Sequence, residues 1–236
     1  MKSDIKTITH EPWIDLRLKK SKINFIQYNQ TLRQREKYKF FQIAYDFLLA
    51  NNIEGSYFEF GCHRARTFRF ALRESIIKNI TQNFFAFDSF KGLPKNKNYK
   101  KQNKYFFSGN LNTNKKEFLN LVSKYKKYRS ISTIDGYYKN TLSNKLINKF
   151  KKNKTKTSFI NIDCDLEQSV SESLNFSSKF IVNGTILYID DYYTLYKGDP
   201  RKGNPKVVLN ILKKNKIFFE PWHVVGTCGK SFLLYK

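Results

Sequence analysis

Five short apolar runs, each closed by a carboxylate at or near its C-terminal end, alternate along this chain with stretches of helical periodicity. The runs cover residues 57–60, 83–88, 128–134, 159–163 and 185–189. Between and around them, apolar residues recur at helical spacing over 36–51, 68–80, 115–125, 142–150, 166–180 and 205–214. Regular alternation of this kind predicts a parallel sheet with helices on both faces. The runs are apolar at successive positions, as strands covered on both sides must be. Two further runs, 217–219 and 231–235, have Gly226 and Gly229 between them and no helical pattern, so they are expected to form an antiparallel hairpin at the sheet edge. The expectation is one α/β domain over 35–236, built on a mostly parallel seven-stranded sheet. Residues 1–34 are polar and weakly periodic and read as an arm.

Open α/β sheets bind ligands beyond the C-terminal ends of their strands. The residues expected there are Glu59 and Gly61, then Asp88, Asp135, Asp163 with Asp165, and Asp190 with Asp191. Any one acid could be an ordinary helix cap. The chain has only 19 acidic residues, however, so their gathering at strand ends argues for a shared site. Gly61 sits on a strand-to-helix turn, where a glycine lets backbone approach a ligand and the next helix offers free N–H groups. Asp88, at the second strand end, suits a ribose diol, because one carboxylate accepts from two vicinal hydroxyls. Asp163, Asp190 and Asp191 close two strands expected to be neighbours. Converging carboxylates repel unless a cation or proton intervenes, and hard oxygen donors suit Mg²⁺ or another divalent ion.

The charge balance restricts partners less than it first suggests. Lys and Arg number 44, giving a formal charge of +25 and a pI near 9.9. Such a chain could favour an anionic partner. The basic residues are mostly scattered lysines with no nucleic-acid motif among them, which favours a solvated coat and no specific nucleic acid. No apolar run approaches the roughly 18 residues of a membrane span. The N-terminal residues lack the apolar core of a secretory signal. Cys62, Cys164 and Cys228 are odd in number and far apart, which implies neither a disulfide framework nor zinc and fits a cytoplasmic, reducing setting.

The segment Phe85-Ala86-Phe87-Asp88-Ser89-Phe90-Lys91-Gly92-Leu93-Pro94 closely resembles a block of the macrocin O-methyltransferase (TylF-type) family, which are class I S-adenosylmethionine-dependent enzymes. Glu59-Phe60-Gly61, Asp135-Gly136-Tyr137-Tyr138 with Thr141-Leu142, Ile162-Asp163-Cys164-Asp165-Leu166 and Ile189-Asp190-Asp191-Tyr192 resemble further family blocks, in order, over about residues 35–235. The resemblance implies a Rossmann-like class I methyltransferase fold and transfer of a methyl group to a hydroxyl of a sugar, glycan or natural-product precursor. It implies S-adenosylmethionine held by Glu59, Gly61, Asp88, Ser89 and Phe90, with Arg64 beside the methionine carboxylate and Asp135 and Asp163 lining the same strand ends. It also implies a divalent ion on Asp163, Asp190 and Asp191, with Asp165 nearby. Asp163 is the candidate catalytic proton acceptor, and His223 is an acceptor-side candidate. A small-molecule acceptor is the expected partner, and a homo-oligomer is left open. A nucleic-acid methyltransferase on the same scaffold, or a basic nucleic-acid-binding protein, is the alternative. The chain departs from the family pattern at Ala65-Arg66, where Gly-Gly is usual, and at Glu167-Gln168, where Tyr-Glu is usual.

Overall fold

Strands that are apolar on both faces need cover on both faces, and that requirement organises the molecule. The computed structural model describes residues 25–94 and 107–236. In chain order the main elements are α1 (Phe25–Ala50), β1 (Ser56–Phe60), α2 (Arg66–Ile77), β2 (Phe84–Asp88), α3 (Lys115–Leu121), β3 (Ile131–Asp135), α4 (Tyr138–Thr141), α5 (Asn144–Lys152), β4 (Thr157–Ile162), α6 (Glu167–Ser177), β5 (Ile181–Ile189), α7 (Gly203–Lys214), β6 (Phe218–Val225) and β7 (Gly229–Tyr235). The sheet has seven strands in the order β3-β2-β1-β4-β5-β7-β6. β1 to β5 run parallel, and β7 is antiparallel to both β5 and β6. The expected C-terminal hairpin is present, with β7 inserted between β5 and the edge strand β6.

The strand order reverses between β1 and β4, which places the C-terminal ends of β1 and β2 on one side of that crevice and those of β4 and β5 on the other. Every residue of β1 and of β4 is buried. An aromatic core fills both sides of the sheet. Phe41, Tyr57, Phe68, Phe84 and Tyr188 belong to one cluster, and Phe58, Phe60, Phe87, Phe150 and Phe176 to the other. Phe60 and Phe87, adjacent across β1 and β2, stack with ring centroids 4.4 Å apart directly beneath the strand ends.

Three boundaries differ from the sequence expectation, each for a physical reason. α1 begins at Phe25, so residues 25–34 are helical rather than part of an arm. Between residues 32 and 35 the buried side chain is the polar Gln34, which hydrophobic periodicity does not register. β5 begins at Ile181, ahead of the expected run 185–189, and takes in Asn183 and Gly184. Gly184 takes a left-handed φ of +81°, and the register with β4 jumps there, from Thr157 opposite Ile181 to Phe159 opposite Ile186. β6 extends to Val225 through Pro221, and its register slips between Pro221 and Val224, as suits an edge strand. The basic stretch Lys95–Lys104 lies within the residues outside the description. No helix among the described residues is long and apolar enough to cross a membrane. The three cysteines are free.

Candidate active site

The first loop is shaped by backbone. Gly61 closes β1 with φ +85°, and its N–H donates to the Phe87 carbonyl at 3.0 Å. A Cβ at this position would overlap the backbone carbonyl oxygen of Asp163, so the loops leaving β1 and β4 touch here. Gly61→Ala is expected to cost at least about 2 kcal/mol of stability through strain and overlap together. Denaturant unfolding measures it, and a loss below about 0.5 kcal/mol would contradict so tight a contact. Arg64 and Ala65 follow with φ of +58° and +48°. Ala65 thus holds a left-handed conformation that glycine adopts more cheaply, at the position where the family usually has Gly. The loop is kept there by the Thr113 hydroxyl, which accepts from the Arg64 N–H at 2.9 Å and meets His63 Nδ1 at 3.0 Å. Burial, with Arg64 and Arg66 nearby, lowers the His63 pKa to about 4, so this ring is neutral. The Arg64 side chain is exposed.

Glu59 points inward. Its carboxylate is fully buried and accepts from the Thr67 hydroxyl at 3.0 Å, the Asn161 amide at 3.0 Å and the Tyr57 hydroxyl. It therefore ties β1 to β4 and to α2 beneath the loop. Burial raises its pKa to about 7, against the opposing pull of these hydrogen bonds. The sign of the pH effect follows. Between the ordinary Glu value and about 7 the folded state binds more protons than the unfolded, so this group's contribution to stability falls as pH rises through that window. The fall is on the order of 3 kcal/mol at about 1.4 kcal/mol per unit. Glu59→Gln should remove it, so wild type should lose stability more steeply than the variant between about pH 5 and 7. Parallel melting curves across that range would show that Glu59 titrates normally.

Asp88 ends β2 and joins two loops. Its Oδ2 accepts from the Cys62 N–H at 2.6 Å and its Oδ1 from the Phe90 N–H at 2.7 Å. Burial raises its pKa despite both bonds. The Ser89 hydroxyl donates to the Gly92 carbonyl at 2.8 Å and shapes the turn that follows. The Phe90 side chain is buried, with its ring 5.4 Å from that of Phe118 on α3. Asp135 lies opposite Asp88 across β2 and β3 and pairs with Lys115 at 2.6 Å in a half-exposed ion pair.

Across the crevice, carboxylate oxygens of Asp163, Asp190 and Asp191 lie within 4.8 Å of one another. The sequence placed these three together, but two of their partners went unseen. Lys37, on α1, donates to Asp190 Oδ2 at 2.6 Å and lies 3.8 Å from Asp163. The Tyr188 hydroxyl donates to Asp190 Oδ1 at 2.6 Å. Burial would raise the Asp190 pKa, but Lys37 and Tyr188 hold it below the ordinary range. Asp163 and Asp191 are pushed up by burial and by neighbouring carboxylates, and Asp165 reaches about 7 for the same reasons. The Thr194 hydroxyl donates to Asp191 Oδ1 at 2.8 Å. A signal for Lys37 existed: it continues, one turn upstream, the stripe that Phe41, Ala44 and Leu48 make on α1.

The donor chemistry fits a divalent ion. Three hard carboxylates against one ammonium leave a formal charge of −2 in a half-buried cluster. The first two strand ends fit a nucleoside cofactor through the carboxylate already oriented at Asp88, while the space beside the Gly61 α-carbon is taken by the Asp163 backbone. His223 lies on β6. Its ring packs 4.4 Å from Trp222 and 6.1 Å from Phe40, and it makes no hydrogen bond to the cluster.

Comparison with known proteins agrees with this geometry. NovP, an O-methyltransferase, aligns over 85% of this chain and 80% of its own, with a TM-score of 0.64 at 18% identity. CalS11, a calicheamicin methyltransferase, aligns over 98% and 90%, with a TM-score of 0.66 at 15% identity. TomG, an O-methyltransferase from Streptomyces achromogenes solved with S-adenosylmethionine, aligns over 99% and 90%, with a TM-score of 0.52 at 8% identity. These likenesses establish the fold. Among curated protein sequences, none matches. The profile of the macrocin-O-methyltransferase (TylF) family matches residues 5–199, a segment holding β1 to β5 and every strand-end acid discussed above. A match of that extent means that the chain belongs to the macrocin O-methyltransferase family and is an S-adenosylmethionine-dependent O-methyltransferase.

Proposed function

We propose that this enzyme methylates a hydroxyl of a sugar, in a glycan or natural-product precursor, with a divalent ion held by Asp163, Asp190 and Asp191. The observation that carries the reading is the contact between the two halves of the site. The Gly61 loop rests on the Asp163 backbone, so a donor seated on Gly61 and Asp88 would lie against the carboxylate cluster. One structural relative, CalS11, is described as a TDP-rhamnose 3′-O-methyltransferase, which supports a sugar acceptor.

In this reading Asp88 accepts from the ribose hydroxyls, beside the turn that Gly61 makes against the Asp163 backbone. Asp163, at the end of β4 in the carboxylate cluster, receives the proton of the acceptor hydroxyl. A bound divalent ion supplies Lewis acidity, which lowers the pKa of that hydroxyl. Much of the acceleration then comes from holding donor and acceptor in line. His223 is left out of the proton path, since its ring packs on Phe40 and Trp222. Three free cysteines suit work in a reducing cytoplasm.

The test is mass spectrometry of nucleotide-sugars and glycans incubated with the enzyme, S-adenosylmethionine and Mg²⁺. The reading expects the mass gain of one CH₂ on a sugar hydroxyl, and a gain on non-sugar acceptors alone would overturn it. The positive charge should give only counterion-driven nucleic-acid binding, collapsing between about 50 and 200 mM salt. A gel-shift complex with sequence preference that survives high salt would revive a nucleic-acid substrate.

A further inference from the structure

We infer that Lys37 is a positioning residue of the carboxylate cluster: its ammonium engages Asp190, leaves Asp163 and Asp191 as the open ligands, and weakens the affinity of the site for a divalent ion. The inference rests on the divalent-ion reading above and adds a residue from outside the strand ends. Asp190 has both oxygens occupied, Oδ2 by Lys37 Nζ and Oδ1 by the Tyr188 hydroxyl, each at 2.6 Å. Among the described residues, the Asp191 carboxylate is engaged only through Oδ1, by Thr194. Among the described residues, the Asp163 carboxylate has only the longer 3.8 Å approach of the same ammonium. Lys37 is 8% exposed, so its charge is fixed among the acids rather than free to turn to solvent. Arg33 lines the small cavity beside Lys37 and Asp190 but is exposed and makes no ion pair with the cluster.

A fixed ammonium repels a divalent ion bound a few ångströms away, and the carboxylate it occupies is unavailable without breaking an ion pair. Removing the charge should therefore strengthen ion binding. Loss of a purely structural contact would do the opposite, because a loosened α1 would disorder the cluster. The sign of the change separates the two roles.

The experiment is titration of Mn²⁺ into the full chain, followed by electron paramagnetic resonance. It compares wild type, Lys37→Met, Lys37→Gln, Lys37→Arg and the ion-site control Asp163→Asn, with thermal melts of each. Tighter binding by more than about tenfold in a neutral Lys37 variant is expected, with Lys37→Arg close to wild type. Equal or weaker binding in both neutral variants, while Asp163→Asn abolishes binding, would overturn the role of Lys37 and leave the ion site standing. Absence of Mn²⁺ binding in every protein, wild type included, would overturn the ion reading and this inference with it. Failure of both neutral variants to melt cooperatively even in saturating Mn²⁺ would also overturn it, since the ion should replace the lost positive charge.

Discussion

Asp191→Asn should lower turnover by about three orders of magnitude while S-adenosylmethionine affinity changes by less than about threefold. The site divides along the crevice. In the proposed reading the donor sits at Gly61 and Asp88, at the ends of β1 and β2, and the acceptor at the acids after β4 and β5. Asp191 is the cleanest of the three acids to change. Among the described residues only one of its carboxylate oxygens is hydrogen-bonded, to Thr194, and asparagine keeps its size. Asp190→Asn would be a poorer test, because it strands the buried Lys37 ammonium, and breaking a buried pair costs about 3–5 kcal/mol. Calorimetry gives the affinity and a methyl-transfer assay the rate. Full turnover in excess chelator would remove the ion and leave a plain acid–base mechanism.

Asp88→Ala should weaken S-adenosylmethionine binding by about a hundredfold or more, since charge-assisted bonds to two hydroxyls are worth about 1.5–3 kcal/mol each. The structure enlarges this expectation. The same carboxylate accepts from the Cys62 and Phe90 amides, so its removal also frees the two loops that frame the donor. Asp88→Asn separates the effects, because its amide oxygen can still accept from one loop while the charge is gone. Unchanged calorimetric affinity in Asp88→Ala would take this residue out of the donor site.

The parts of this molecule that were legible in its sequence are those written by period and punctuation. Apolar runs such as 57–60 and 159–163 are buried on both faces, and burial on both faces leaves no polar alternation to confuse the reading. The acids at their ends are legible because the sheet delivers them to one rim. What the sequence hid is what distant elements contribute. Lys37 meets Asp190 across 153 positions, as a charged residue on the otherwise mostly apolar buried face of α1. Glu59 looks like a loop ligand, but Tyr57, Thr67 and Asn161 turn it inward, and no local pattern encodes three partners from β1, α2 and β4. The left-handed Ala65 is likewise imposed by tertiary context, through the Thr113 hydroxyl beside it, since the residue itself disfavours that conformation.

The position of β7 has a consequence for the order in which the molecule can be completed during synthesis. β7 is made after β6, yet it is the strand that separates β6 from β5. Until it emerges, the apolar β5 has a whole edge of unpaired amides and carbonyls, and β6 has no neighbour at all. A released chain in which β7 has not yet docked would therefore present a sticky, half-finished sheet, and a truncation before Gly229 should raise the fraction that aggregates on refolding.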